Sequence, residues 1–297
     1  MTTAPPAGGR QPSLARDLIG LTKPRIISLL LVTAVAPMYA AGSPSLTLVL
    51  VVMLGGYLMA GGANAVNMYM DRDIDDRMSR TRLRPIPSGR MFPVAVLAFG
   101  VALALAATVL LAQFANLVAA AMALAGFYFY VFVYTRWLKR STPQNIVIGG
   151  AAGAFPPLVG WAAVTGKVDL AAAYLFLIVF YWTPPHFWAL ALLKARDYGR
   201  AGVPMAPLVW GERETKRQML WYTLVLLPLT VLPVALGIFG TLYLVSALAL
   251  GAAFLWSVVR VVKATNYSAV AWQAYRFSLL YLALLFLAMA VDRHVGA

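Results

Sequence analysis

The sequence holds no cysteine and only two histidines, His186 and His294, in 297 residues. The first absence excludes disulfides and thiolate-bound metal. The second leaves too few imidazoles for a multi-histidine metal centre. Charge is scarce as well: 11% of the residues are charged and 62% are hydrophobic, against about 25% charged and about 45–50% apolar in soluble domains. A chain of this composition needs lipid as its solvent, and no block of ordinary composition remains to form a separate soluble domain. The first 23 residues contain no apolar stretch followed by a small-residue cleavage site, so no secretory signal peptide is expected there. Residues 1–22 read as a short flexible cytoplasmic tail and 23–297 as one transmembrane domain.

A helix needs about 20 apolar residues to cross a bilayer. Nine runs qualify: 25–42, 45–69, 92–112, 116–134, 144–164, 169–190, 218–239, 241–263 and 271–291. They are continuously apolar and lack the alternation of barrel strands. The expected fold is therefore all-α and polytopic, with nine transmembrane helices. Basic residues set its orientation. Of the 24 Lys and Arg, 21 fall on one side of this arrangement; Lys167 and Arg293 fall on the other, and Arg276 lies within a span. The expectation is an N-terminus in the cytoplasm, a C-terminus outside, and a multi-pass protein of the cell (inner) membrane. Topology thus accounts for the net charge of +14, and no nucleic-acid partner is expected.

Acidic residues are distributed unevenly. Seven of the ten lie in two long cytoplasmic connections, 70–91 and 191–217: Asp71, Asp73, Asp75, Asp76, Asp197, Glu212 and Glu214. In the first connection, Asn67, Asp71 and Asp75 are four apart, and Asn64 precedes Asn67 by three. On a continuing helix these side chains share one face, about 6 Å apart along the axis. Two carboxylates so placed repel each other unless a cation lies between them. Mg2+ suits such a set, because it takes oxygen ligands and is usually held by one or two carboxylates plus substrate phosphates. An ordinary solvated helix end is the plainer alternative. It is disfavoured here because the polar face continues back into the apolar span, where polar groups are costly.

Arg72, Arg77, Arg80, Arg82 and Arg84 follow directly, and guanidinium forks bind phosphate. Topology alone also explains arginines at this face. The second connection offers Lys194, Arg196, Asp197 and Tyr198. Asp197 is a candidate ligand of a second Mg2+, and Lys194 a candidate partner of a departing diphosphate. His186 follows Pro184–Pro185, whose rings interrupt helix hydrogen bonding. A ligand contact, a proton relay and a plain loop hydrogen bond all remain open for it.

The pattern Asn67-x3-Asp71-x3-Asp75 resembles the first aspartate-rich motif of the UbiA superfamily of intramembrane prenyltransferases. Several further stretches resemble the heme-directed, protoheme IX farnesyltransferase branch of that superfamily. They are Leu21-Thr-Lys-Pro-Arg25, Asp71-Arg-Asp-Ile-Asp-Asp-Arg-Met78, Arg80-Thr-Arg-Leu-Arg-Pro85, Thr142-Pro-Gln-Asn-Ile146, Gly149 to Trp161, Pro184-Pro-His-Phe-Trp-Ala-Leu190, and Asp197-Tyr198 through Val203-Pro-Met-Ala-Pro207. Many superfamily members carry Asp-x3-Asp in the second connection, whereas here Ala201 stands four after Asp197.

The resemblance implies a UbiA-like bundle and a Mg-dependent transfer of farnesyl from farnesyl diphosphate to a vinyl group of heme b, giving heme O. It implies Asp71, Asp75, Asp197 and Lys194 as catalytic residues, with Asn67, Asp71, Asp75 and Asp197 as Mg2+ ligands. Asn64, Asn67, Arg72, Arg80, Arg84, Arg196, His186 and Tyr198 are the implied substrate-binding residues. Tyr128, Tyr130, Tyr134, Tyr181 and Trp182 are candidates for stabilising an allylic cation. A downstream heme A synthase or oxidase assembly factors are the implied partners. The competing readings are a UbiA-type enzyme for an aromatic acid or quinone precursor, and a transporter. A transporter usually gathers its polar groups near the bilayer midplane, whereas here they gather at one face.

Overall fold

A computed structural model describes residues 13–295. In chain order the helices are α1 (Leu14–Thr22), α2 (Pro24–Ala41), α3 (Leu46–Met70), α4 (Arg72–Asp75), α5 (Pro93–Phe114) and α6 (Leu117–Tyr128). A π-helical segment, Phe129–Leu138, continues α6 into α7 (Lys139–Ser141). Then come α8 (Asn145–Gly149), α9 (Ala151–Thr165), α10 (Leu170–Arg200), α11 (Ala206–Val209), α12 (Gly211–Ala235), α13 (Thr241–Lys263) and α14 (Ser268–Val295). Among the described residues, nine helices or joined helices are long and apolar enough to cross a membrane.

Burial sorts these spans by position. The Asn145–Thr165 window is 72% buried with mean hydropathy 1.5, whereas Pro93–Phe114 is 28% buried with mean hydropathy 2.7. The peripheral helix is the more apolar one, as expected where the outer surface meets hydrocarbon rather than water. Two cores result. One joins α2, α3, α5, α6 and α9; the other joins α9 and α10 to α12, α13 and α14. The helix pairs α2 with α9, α9 with α10 and α2 with α14 stitch the two halves together.

Small residues allow the closest approach. A Cβ on Gly62 of α3 would lie 2.6 Å from the carbonyl oxygen of Gly100 on α5. The absence of a side chain at both positions lets the two backbones touch, which is how helices gain packing energy in lipid.

Three expectations are corrected. Residues 1–22 are not wholly a flexible tail. Ser13 caps α1 by accepting from the Arg16 N–H at 3.4 Å. Asp17 then takes two bonds from Arg90, at 2.9 and 3.0 Å, and Leu21 packs with Ala65, Met68 and Val96. Residues 1–12 lie outside the described residues. The connection 191–217 is mostly helical, because α10 runs on to Arg200 and α12 starts at Gly211. Polar residues extend both helices beyond the apolar layer, and only 201–210 bends between them. Finally, α3 does not run unbroken through Asp75. It breaks at Asp71, where φ is −90° and ψ is 6°, and resumes as the single turn of α4.

Replacing Gly62 by Val forces α3 and α5 apart. The expected cost is about 2 kcal/mol, read as a lower melting temperature of the purified protein, with Gly62→Ala intermediate.

Candidate active site

The polar stripe of α3 leaves the apolar span inside the helix packing. Asp71 is 0% and Asp75 2% exposed, so each carboxylate depends on its partners, because taking a charge out of water costs several kcal/mol. Asp71 accepts hydrogen bonds from Lys139 Nζ and from Asn67 Nδ2 at 2.7 Å. Asp75 pairs with Arg84 at 2.6 Å, and its backbone carbonyl accepts from Thr81 Oγ1 at 2.8 Å. Fixed cations of the protein therefore relieve the repulsion between the two carboxylates, and a bound metal is not required for that purpose.

The amides are oriented by the same network. Asn67 Nδ2 has two acceptors, Asp71 Oδ2 and, at 3.1 Å, Thr135 Oγ1. Thr135 is free to accept because its own proton goes to the Tyr130 carbonyl, at 2.8 Å. Asn64 Nδ2 donates to the Thr22 carbonyl at 2.9 Å. Both amide oxygens are thereby turned to one point, and Lys23 Nζ meets them there at 3.1 and 3.2 Å. Lys23 sits at the break between α1 and α2 with φ 56°, the one positive φ outside glycine among the described residues. A non-glycine residue held in that region costs about 1–3 kcal/mol, and such residues cluster at functional sites. Burial pulls its ammonium down to about 7, helped by the charges of Arg84 and Lys139 and opposed by those of Asp75 and Asp71.

The second connection comes to the same place. Ser79 Oγ bonds both carboxylate oxygens of Asp197, at 2.9 and 3.0 Å. Arg80 reaches the Tyr198 hydroxyl at 3.3 Å and lies over its ring, 5.7 Å from the centroid. Asp71, Asp75 and Asp197 thus lie at one face of the bundle.

Below this cluster is an apolar cavity of about 380 Å³. Asn64 forms a polar spot on its wall, and Tyr130, Tyr134, Phe155, Trp182 and Phe187 are among its aromatic lining. Tyr130 and Tyr134 stack with centroids 5.6 Å apart. Gly149 leaves room for the Tyr134 ring, which a Cβ there would strike.

The residues fit a hard cation. Asp71 Oδ1 is buried without a hydrogen-bond partner, and every candidate donor is an oxygen, which suits Mg2+. No three of His, Asp and Glu gather into a metal cage among the described residues. An ion held by Asn67, Asp71 and Asp75 therefore needs substrate phosphate or water to complete its coordination. Asp197 has no second carboxylate beside it, since Ala201 stands where one would be.

The structure therefore gathers Asn64, Asn67, Asp71, Asp75 and Arg84, with Arg80, Asp197 and Tyr198 adjoining. It separates three residues from them. Arg72 bonds the Tyr69 carbonyl at 2.7 Å and covers the Tyr69 ring. It lines a different opening, with Asp73, Arg136 and Arg140. Lys194 and Arg196 are exposed on the last turns of α10 and make no side-chain hydrogen bond among the described residues. Both project from the surface of α10 beyond the expected end of the sixth span at residue 190. Sequence reading missed Lys23, Thr135 and Lys139. Lys139 carries no signal beyond that of any basic residue at a span end, Lys23 stood out only as part of the Leu21–Arg25 stretch that resembles the family, and Thr135 looks like any threonine in an apolar helix.

Comparison with known proteins agrees with this architecture. The model of the UbiA prenyltransferase family matches residues 29–291. A protoheme IX farnesyltransferase of Roseiflexus sp. (strain RS-1) is 57% identical over 97% of this chain and 54% of its own length. One from Symbiobacterium thermophilum is 54% identical over 94% of both chains. The chain thus spans about half the length of the Roseiflexus relative and nearly all of the Symbiobacterium one. Among solved structures, digeranylgeranylglyceryl phosphate synthase superposes with a TM-score of 0.76 at 20% identity, covering 94% of this chain and 98% of that one. A UbiA homolog from Archaeoglobus fulgidus bound to DMAPP and Mg2+ gives 0.68 at 13% identity, covering 93% and 99%. With a family match across most of its length and a half-identical relative of the same size, this multi-pass membrane chain belongs to the UbiA prenyltransferase family.

Proposed function

We propose that this protein transfers a farnesyl group from farnesyl diphosphate to a vinyl group of heme b, giving heme O, at the cytoplasmic face of the cell membrane. The observation that carries the reading is the apolar cavity with Asn64 on its wall, one helical turn from the Asn67–Asp71 pair. An isoprenoid diphosphate has the same division, a hydrocarbon tail and an anionic head. The acceptor is supported by the names of the relatives that are 50–57% identical.

Asn67, Asp71 and Asp75 would hold Mg2+, which would supply positive charge to the diphosphate. The residues of the chain do the rest. Lys23, Lys139 and Arg84 present further positive charge at the same point, held in place before substrate arrives. As the C1–O bond breaks, the electron pair stays with diphosphate and C1 becomes allylic cation. Tyr130 and Tyr134 offer π-faces beside its tail, and the surrounding helices keep bulk water away. The vinyl π-pair of heme forms the new C–C bond. Water then adds to the cation next to the macrocycle and loses one proton, leaving the hydroxyl. Arg80, with Tyr198, stands where an anionic group of either substrate enters. Enzymes that take up heme O, such as a heme A synthase or oxidase assembly factors, are the expected downstream partners.

Membranes carrying this protein, given farnesyl diphosphate and heme b, should yield heme O by mass spectrometry and should leave 4-hydroxybenzoate unprenylated. Prenylation of 4-hydroxybenzoate instead would sink the acceptor reading. Chelation with EDTA should stop the reaction and added Mg2+ restore it. Asp71→Asn should lower the rate by about 10²-fold or more; unchanged heme O formation would remove Asp71 from the site. Thr135→Val removes one of the two acceptors that orient Asn67, so the Mg2+ concentration for half-maximal activity should rise several-fold. Thr135→Ser, which keeps the hydroxyl, should restore it.

A further inference from the structure

His186 lies on α10, facing α14. Its Nδ1 is 2.6 Å from Ser278 Oγ, and Ser278 Oγ is also 2.6 Å from the Tyr275 carbonyl oxygen. A carbonyl only accepts, so the single proton of Ser278 is committed to Tyr275. Toward His186 the hydroxyl oxygen must accept, and His186 Nδ1 must donate. The hydrogen-bond network thus selects one tautomer of the neutral ring, with the proton on Nδ1 and a bare lone pair on Nε2.

The ring is also fixed in direction. Trp182 stacks on it with centroids 4.3 Å apart and an angle of 15°, and Tyr275 stacks with centroids 4.8 Å apart and an angle of 23°. Trp182 is held in turn by its own Nε1, which donates to the Ser278 carbonyl at 3.0 Å. Ser278 is 0% exposed, so α14 supplies a rigid seat for both rings. Nε2 has no hydrogen-bond partner among the described residues, and the histidine is only partly buried. No carboxylate touches the ring among the described residues. Trp182 lines the apolar cavity that reaches Asn64, so the imidazole is one aromatic ring away from the proposed prenyl site.

The two nitrogens of this ring are therefore not equivalent. One is fixed as donor and the other is presented as a base, the arrangement of a metal-ligating imidazole with its supporting partner. We propose that His186 Nε2 is the axial ligand of the iron of the tetrapyrrole acceptor, and that Ser278 is the positioning residue that keeps that nitrogen unprotonated and aimed. The proposal rests on heme b being the acceptor. It adds that the iron, a group that takes no part in the bond change, is what registers the macrocycle so that one vinyl meets C1.

The test uses the full chain in lipid nanodiscs, with ferric heme b and metal-free protoporphyrin IX as probes. Wild type should bind heme with the absorption and EPR signature of imidazole-ligated iron. His186→Ala should lose that signature and bind heme at least tenfold more weakly. Added imidazole should restore it, and metal-free protoporphyrin should bind both proteins equally. Ser278→Ala should weaken heme binding by roughly tenfold without changing metal-free binding, and Ser278→Thr should recover it. If His186→Ala does not fold, the decision passes to the Ser278 pair, where an unchanged heme affinity in Ser278→Ala overturns the proposal. An unaltered iron spectrum in a folded His186→Ala also overturns it. So does equal loss of heme and metal-free porphyrin, which would make the ring a packing surface. If wild type forms heme O while either of these is seen, only the iron ligand is wrong. If wild type neither binds nor prenylates heme, the acceptor reading falls and this inference falls with it.

Discussion

A carboxylate buried at the end of an apolar helix is intolerable unless other parts of the chain bring it charge and hydrogen bonds. Asp71 is in that position, and the charged face of the bundle is organised around it. The π-helical segment and α7 supply Thr135 and Lys139, four residues apart. These match Asn67 and Asp71, also four apart, so two interhelical contacts form in register. Arg140 adds a longer approach to Asp71 and closes bidentately on Asp73. The strength of the Arg140 contact holds the Asp73 carboxyl down at about 2. These interactions draw the fourth span against the second at the level where both leave lipid.

The same requirement shapes the chain before and after α3. Lys23 is pressed into a left-handed conformation and into an environment that disfavours its own charge. It stays because two amide oxygens converge on it. A group of cations around few carboxylates is poorly balanced by itself. It is well suited to an anionic diphosphate, which would supply the missing negative charge. On the proposed function, such a site holds unfavourable electrostatics in the free protein that an arriving diphosphate would relieve.

The two halves of the bundle divide the work. The α3 side carries the buried carboxylates with their cations and the cavity; the α10 and α14 side carries the seat of His186. They meet through Ser79 with Asp197 and Arg80 with Tyr198, and Trp182 of α10 lines the same cavity as Asn64 of α3. The two hydrogen bonds each join residues 118 positions apart in sequence, and neither has a local signature.

Composition alone settled that the chain lives in lipid as an all-α bundle, since continuous apolar runs leave the backbone no other way to satisfy its hydrogen bonds. The four-residue spacing of Asn67, Asp71 and Asp75 marked the helix end at which buried carboxylates gather, although the helix breaks at Asp71. Which cations answer those carboxylates was decided by tertiary structure. Lys139 bonds Asp71 and Lys23 bonds Asn64 and Asn67, while Lys194 and Arg196 point to solvent, although all four are basic residues at a membrane face. The tautomer of His186 was decided there too, by a serine 92 residues away. Charge and hydrogen bonding act through space, and the distances that matter exist only once the helices have packed.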